Sequence, residues 1–200
     1  MSANNTLEAH LEHFPVQVEL EDGHAVELRL ITPQDRDAIL AFAAGLPERD
    51  LLFLRVDITK PQAVDHWLAN VASGATLTLG AFDKARLIGY ATVDTNPARW
   101  TRRMGELRLN VGPDHRSKGL GRQLSSKIFD IARSMGLKKL TAHMTPGQQG
   151  AQAAFQRLGF VAEALLADCV EDRQGNLHDL IIMSYDVDGL TTQVDQPLQL

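Results

Sequence analysis

Leu107-Arg108-Leu109-Asn110-Val111, followed after Gly112-Pro113-Asp114-His115 by Arg116-Ser117-Lys118-Gly119-Leu120-Gly121, is the stretch on which the fold turns. The first run is strand-like. The residues after it, Arg122 to Met135, carry Leu124, Ile128, Ile131 and Met135 on one helical face, and Gly136 supplies a stop. A strand that ends in a glycine-containing loop and becomes a helix is a phosphate cradle. The loop's N–H groups converge, the first helical turn adds unpaired donors, and the helix dipole favours an anion there. Gly119 and Gly121 let the backbone approach a ligand without a Cβ in the way. Arg116, Lys118 and Arg122 place cations at the wrong end of a helix dipole unless an anion binds among them. The pattern R-x-x-G-x-G recurs by chance, so its surroundings decide.

Composition bounds the possibilities. The 200 residues, 44% hydrophobic, suffice for one well-buried domain. No apolar run reaches the length of a membrane span, and residues 1–12 lack the regions of a signal peptide. A single cysteine, Cys169, excludes an internal disulfide framework and fits a reducing cytoplasm; its expected state is a small buried apolar side chain. The net charge of −5 and the lack of a basic stripe argue against a nucleic-acid partner.

Upstream, Val16, Val18 and Leu20 alternate with polar residues, Asp22-Gly23 turns the chain, and Val26, Leu28 and Leu30 alternate again: an antiparallel hairpin. Thr32-Pro33-x-Asp35 has the cap, N1 proline and first-turn acid of a helix start. Pro61 opens a second helix with Val64, Trp67, Leu68 and Val71 on one face, and strands follow over residues 76–82 and 87–94. Downstream come a strand over 137–144, a helix with Ala151, Ala154, Phe155 and Leu158 together, a strand from Phe160, a turn at 172–176 and a last strand over 180–187. Helices interleave with strands only in the second half, which predicts a mixed α/β (α+β) sheet rather than a parallel dinucleotide-binding one. The expected organisation is an N-terminal segment over 1–15, one domain over 16–187 and an unpacked tail over 188–200.

These residues resemble the GNAT superfamily of acyl-CoA-dependent N-acyltransferases. The resemblance rests on Val111 with Arg116-x-x-Gly119-x-Gly121, on Gln148-x-x-Ala151 leading to Phe155-Gln-Arg-Leu-Gly159-Phe160, and on Leu28-Arg29-Leu30-Ile31-Thr32-Pro33-x-Asp35. It implies a mostly antiparallel twisted sheet with a central splayed parallel pair, formed by the strands at 106–111 and 137–144 and flanked by helices. It further implies acetyl-CoA as acyl donor, with Leu109 and Val111 offering backbone contacts to the pantetheine arm and an N–H near Val111 holding the thioester oxygen. The amides of Arg116, Ser117, Lys118, Gly119, Leu120, Gly121 and Arg122 would bind the pyrophosphate.

Two departures from the family pattern matter. Phe155 occupies the place of a tyrosine that protonates the departing thiolate, and Gln148 replaces a cofactor-binding asparagine. A thiol with a pKa of about 8.5 leaves tolerably as thiolate, and Tyr185 and Ser184 are candidate replacement acids. The resemblance makes Glu106 the candidate general base, since an alkylammonium with a pKa of about 10.4 must lose a proton before it attacks. Arg102, Arg103 and Arg108 are its alternative partners in a purely structural ion pair. His115 is expected to face solvent or the cofactor's edge, and His, Cys and acid spacing forms no metal site. Trp67 reads as core, Trp100 as the better acceptor-pocket residue, with Phe53 a further candidate. The function implied is acetyl transfer to a primary amine, either a small cationic molecule or a protein lysine or N-terminus. The competing reading is a non-catalytic acyl-CoA-binding regulatory domain. A homodimer through the last strand and tail is compatible with either.

Overall fold

A computed structural model of the chain describes residues 3–51, 54, 56–96, 98–172 and 174–188. The expected tail beyond residue 188, and Phe53, lie outside the described residues. The strands are β1 Val16–Glu19, β2 Ala25–Leu30, β3 Thr76–Asp83, β4 Arg86–Thr95, β5 Met104–Val111, β6 Lys139–Met144, β7 Val161–Glu171 and β8 Leu177–Asp186. The helices are α1 Ala3–Leu11, α2 Arg36–Ala44, α3 Glu48–Leu51, α4 Pro61–Ala72, α5 Leu120–Ser134 and α6 Gln149–Arg157. All strands join one 8-stranded sheet in the order β1-β2-β3-β4-β5-β6-β8-β7, with β5 and β6 its parallel neighbours and the other pairs antiparallel.

Alternation along the strands sends side chains to two differently covered faces. On one face Ala91, Val93, Leu107, Leu140 and Met183 pack with Leu120, Leu124, Ile128 and Ile131 of α5. Those helix residues are fully buried, a contribution of about 1.5–3 kcal/mol each. Gly89 permits this approach, because a Cβ there would come within 2.9 Å of the Asn110 carbonyl and 3.3 Å of Leu120. The helix ends as its sequence predicts: Gly136 takes φ +75°, its N–H donates to Arg133, and Leu137 N–H donates to Ala132. On the opposite face Ile39, Phe42 and Ala43 of α2 and Val64, Trp67 and Leu68 of α4 pack with Phe82, Leu87 and Tyr90.

The Thr32-Pro33-x-Asp35 signal starts a single 3-10 turn at Pro33–Asp35 that runs into α2. Asp35 accepts from the Thr32 N–H at 2.8 Å and from both Arg29 terminal nitrogens at 2.9 and 2.6 Å, and the Arg29 guanidinium lies over the Phe82 ring. Arg29 thereby ties β2 to the start of α2 while covering an apolar ring.

Three features differ from the sequence expectations. Residues 3–11 form a helix whose Leu7 and Leu11 rest on the α5-side core, although the segment is too polar for periodicity to announce it. Cys169 is exposed, because β7 is the outermost strand and nothing covers its outer part among the described residues. His115 is buried in the turn Pro113–His115, which overturns the solvent-facing half of its expectation of facing solvent or the cofactor's edge. Burial, with help from Arg86 and Lys118, holds its imidazole below the ordinary range, so it is neutral packing material under the loop.

Candidate functional site

β5 pairs with β4 along its length, from Gly105 opposite Thr95 to Val111 opposite Gly89. Its parallel pairing with β6 covers only Met104, Gly105 and Glu106, opposite Lys139, Leu140 and Thr141. Beyond Glu106 the strands part, as the resemblance implies. The Gly112 N–H donates to Ile88 on β4. Strand alternation therefore turns the backbone groups of residues 107, 109 and 111 the other way, into the gap. An amide-bearing chain laid in that gap meets a ready hydrogen-bonding edge at Leu109 and Val111.

At the end of the gap the loop turns twice through left-handed backbone, at Ser117 (φ 58°) and Gly119 (φ 82°), and delivers the chain into α5. Gly119 is doubly required: besides its φ, a Cβ would come within 3.0 Å of the Glu21 carboxylate. Gly121 sits in the first helical turn, where a Cβ would be 3.6 Å from Leu109 and 3.8 Å from Val111, ordinary contact distances. The close-approach argument thus holds for Gly119 and is weaker for Gly121. Leu120 is fully buried and anchors the helix start on the sheet.

The three loop cations have different situations. Arg116 donates through Nε to the Val111 carbonyl at 3.0 Å and through Nη2 to Asp50 on α3 at 2.5 Å. Lys118 pairs with Asp22 in the β1–β2 turn at 3.1 Å. Arg122 is exposed on the first turn of α5 and forms no ion pair among the described residues. Arg116 and Lys118 must exchange a carboxylate for a phosphate before they can hold one.

Glu106 is largely buried and stands level with Asp94 of β4 on one side and Thr141 of β6 on the other. Its Oε1 lies 3.4 Å from Arg108 Nε, and the Arg108 guanidinium also pairs with Asp94. Its Oε2 lies 3.9 Å from His143 Nδ1. Asp94 accepts in addition from the Thr76 hydroxyl at 2.5 Å.

Thr76, Asp94 and Arg108 of this group line one side of a cavity of about 290 Å³ whose walls also include Ile58, His66, Trp67, Tyr90 and Thr92; Glu106 and His143 stand next to it and not in its wall. The Trp67 and Tyr90 rings meet at 5.0 Å, and the Tyr90 hydroxyl accepts from Asn110 at 2.8 Å. Burial pushes the Tyr90 phenol above its ordinary range, so it stays protonated. Trp67 is therefore both core and pocket wall. Trp100 is 91% exposed and does not line the cavity, which reverses the expected order of the two tryptophans.

Sequence inspection passed over Tyr90, Thr92 and Asp94. A signal for them exists: they alternate with Gly89, Ala91 and Val93 on a strand buried through most of its length. Such a buried polar row marks a face turned toward something other than core.

Phe155 and Tyr185 are not beside Glu106. Phe155 is 6% exposed and meets Phe160 edge-on at 5.0 Å. Tyr185 stacks on Phe129 of α5 at 4.9 Å and on Phe160 at 5.5 Å. This aromatic group lies on the α5 side of the sheet, whereas Glu106 faces the cavity side. Ser184, opposite Thr141, does share the Glu106 face and is almost wholly buried. Gln148 precedes α6, and its Oε1 accepts from the Thr145 N–H at 2.9 Å. Its carbonyl is thus occupied in holding the β6–α6 loop. Among the described residues, no three His, Cys, Asp or Glu side chains gather as a metal site, and no helix is long and apolar enough to cross a membrane.

Comparison with known proteins agrees with this geometry. The model of the Acetyltransferase (GNAT) family matches residues 30–160. The L-amino acid N-acyltransferase MnaT of Escherichia coli is 37% identical over 81 residues, which span 40% of this chain and 46% of that enzyme. The L-methionine sulfoximine/L-methionine sulfone acetyltransferase of Pseudomonas aeruginosa is 31% identical over 66% of this chain and 76% of its own length. Among solved structures, the Salmonella typhimurium protein yncA, determined with its cofactor acetyl-CoA, superposes with a TM-score of 0.69 at 22% identity, covering 82% of this chain and 94% of that one. At that identity the likeness speaks for the fold. The match of the family across well over half of the chain, on the same splayed sheet and glycine loop, means that the chain belongs to the GNAT acetyltransferase family.

Proposed function

We propose that this protein transfers an acetyl group from acetyl-CoA to a primary amine by direct attack within a ternary complex. The observation that carries the reading is the position of Glu106. It lies where β5 leaves β6, with the opened backbone edge of residues 107–111 beyond it and the Trp67–Tyr90 cavity on its own face. Donor and acceptor would approach from these two directions and meet at one carboxylate.

The gap-facing backbone of Leu109 and Val111 would pair with the pantetheine amides, once Arg116 releases the Val111 carbonyl. A gap-facing N–H near Val111, on its Glu106 side, would hold the thioester oxygen as it gains charge. The first-turn amides of α5, with Arg122 beside them, would hold the pyrophosphate, and Arg116 and Lys118 would join by giving up Asp50 and Asp22. The thioester supplies an activated acyl group. Glu106 takes the ammonium proton, directly or through a water, and so produces the nucleophilic amine. A phenol donor at Tyr185, which packs on the α5 side, would act on the thiolate from the face opposite Glu106.

The cavity also bears on the acceptor. Asp94 and Glu106 beside Arg108 place carboxylates next to this cavity, the kind of group that binds an alkylammonium. Trp67, Tyr90 and Ile58 suit the carbon body behind that charge. A compact cavity of about 290 Å³ favours a small amine over an extended protein segment. The relatives named for amino-acid substrates point the same way. The single cysteine fits a reducing, cytoplasmic setting.

Thiol release from acetyl-CoA, measured across a panel of amino acids, polyamines and lysine peptides with mass detection of the acetylated product, tests the proposal. Turnover with at least one small primary amine supports it. Tight CoA binding without turnover on any amine would leave the non-catalytic acyl-CoA-binding reading in its place.

A further inference from the structure

Acetylation of an ammonium at neutral pH releases a proton on every turnover. The nitrogen gives up two protons on its way to the amide; one ends on the thiol product and the other must reach solvent. A carboxylate that has accepted the second is spent until it passes that proton on.

Glu106 is poorly placed to do so alone, being 16% exposed. Arg108, 3.4 Å from its Oε1, cannot help, because a guanidinium in a protein is already fully protonated and does not act as an acceptor. On the other oxygen the situation differs. His143 Nδ1 lies 3.9 Å from Glu106 Oε2, and its side chain is 35% exposed. Imidazole is the side chain that both takes and gives a proton near neutral pH.

Strand geometry explains why the two meet. His143 is two residues beyond Thr141 on β6, so it shares the face of Thr141 and its partner Glu106. It is also past the last β5–β6 pair, where the strands have parted and water can reach the mouth of the gap. From β5 it faces Glu106 and Arg108. From β8 it faces the uncharged Ile182 opposite it, with Ser184 next along that face. On its own strand the nearest charge is Lys139, which pairs with Glu163 at 2.5 Å. A separation of 3.9 Å closes with a small rotamer change or one bridging water.

We infer that His143 is the proton relay that resets Glu106, accepting the proton from its Oε2 and delivering it to solvent at the mouth of the β5–β6 gap. This rests on the proposed acetyl transfer with Glu106 as base. In each cycle an N–H bond of the acceptor breaks as an O–H forms on Glu106. That O–H then breaks as an N–H forms on the neutral imidazole, and solvent removes the proton from the imidazolium. In this role His143 acts through Glu106.

The test compares steady-state kinetics of wild type, His143→Gln and His143→Ala on one alkylamine at neutral pH, with and without added imidazole. The expected result is a fall in kcat of about tenfold in both variants, unchanged KM for acetyl-CoA and amine, and restoration of His143→Ala by imidazole in proportion to its neutral form. Wild-type turnover with an unchanged kcat in His143→Gln overturns the relay and leaves the acetyltransferase standing. A loss that imidazole does not restore also overturns it, since a structural role would behave so. Absence of wild-type turnover on any amine overturns both.

Discussion

Glu106 stands opposite Thr141 at the last position where β5 and β6 pair, and one residue later the sheet opens. The carboxylate therefore belongs to the fixed part of the sheet, while the backbone just beyond it offers hydrogen bonds to a ligand. In the proposed role of base, that placement would keep Glu106 in position without rebuilding it for each substrate.

Glu106→Gln should keep the fold and lose chemistry. The amide occupies the same volume, and Arg108 retains Asp94 as partner. The expected fall in kcat at neutral pH is about 10²-fold or more, with the KM for acetyl-CoA little changed. Initial rates with a matched melting curve check this; an unchanged kcat would remove Glu106 as the base.

Gly119→Ala should weaken the donor site. The new Cβ is strained at φ +82° and crowds the Glu21 carboxylate, which must move by some tenths of an ångström. The expected cost is about 1–2 kcal/mol of stability, with a raised KM for acetyl-CoA as the loop amides shift. Adding Glu21→Ala should relieve the crowding and not the φ strain, so the double variant should recover only in part.

Trp67→Phe should raise the KM for the amine acceptor several-fold, leave that for acetyl-CoA near wild type, and cost about 1–2 kcal/mol from lost core contact. Trp100→Ala should change neither KM, since that side chain is 91% exposed and outside the cavity. Parallel kinetics on the two variants separate the pocket wall from the surface ring.

Asp35→Asn should destabilise the junction of β2 and α2 by about 2 kcal/mol, because Arg29 loses a two-pronged partner under partial cover. Burial raises the Asp35 carboxyl, but the bonds from Arg29 and the Thr32 N–H outweigh it and hold the group below the ordinary carboxylate range. A depressed folded value means that the contribution is present in full above the unfolded pKa of about 3.9 and fades as pH falls through the folded one. Melting temperatures of the two proteins should differ by a constant amount at neutral pH and converge in acid. A gap that persists at low pH would assign the loss to something other than ionisation.

Much of this architecture is legible along the chain. Local signals lie within one element and its neighbours: the Asp22-Gly23 hairpin, the proline starts at Pro33 and Pro61, the stripe of Leu124, Ile128 and Ile131, and the Gly136 stop. The splayed pair follows from family resemblance and not from periodicity. What was not legible depends on contacts distant in sequence. Arg116 reads as a phosphate ligand, and nothing local announces that α3 also brings Asp50 to it across 66 positions. Tyr185 and Glu106 both sit on strands near the gap, yet only the strand register and the packing of Phe129 put them on opposite faces. His115 and Cys169 changed places between surface and interior because burial depends on which strand is outermost and which loop is folded under.

The most direct measurement is a crystal structure of the protein with acetyl-CoA. The account predicts the pantetheine amides bonded to the backbone of Leu109 and Val111, the pyrophosphate on the first-turn amides of α5, and the thioester opening toward Glu106 on the cavity face. A donor lying elsewhere, or a thioester directed to the Phe155–Tyr185 side with Glu106 shielded from it, would contradict the account.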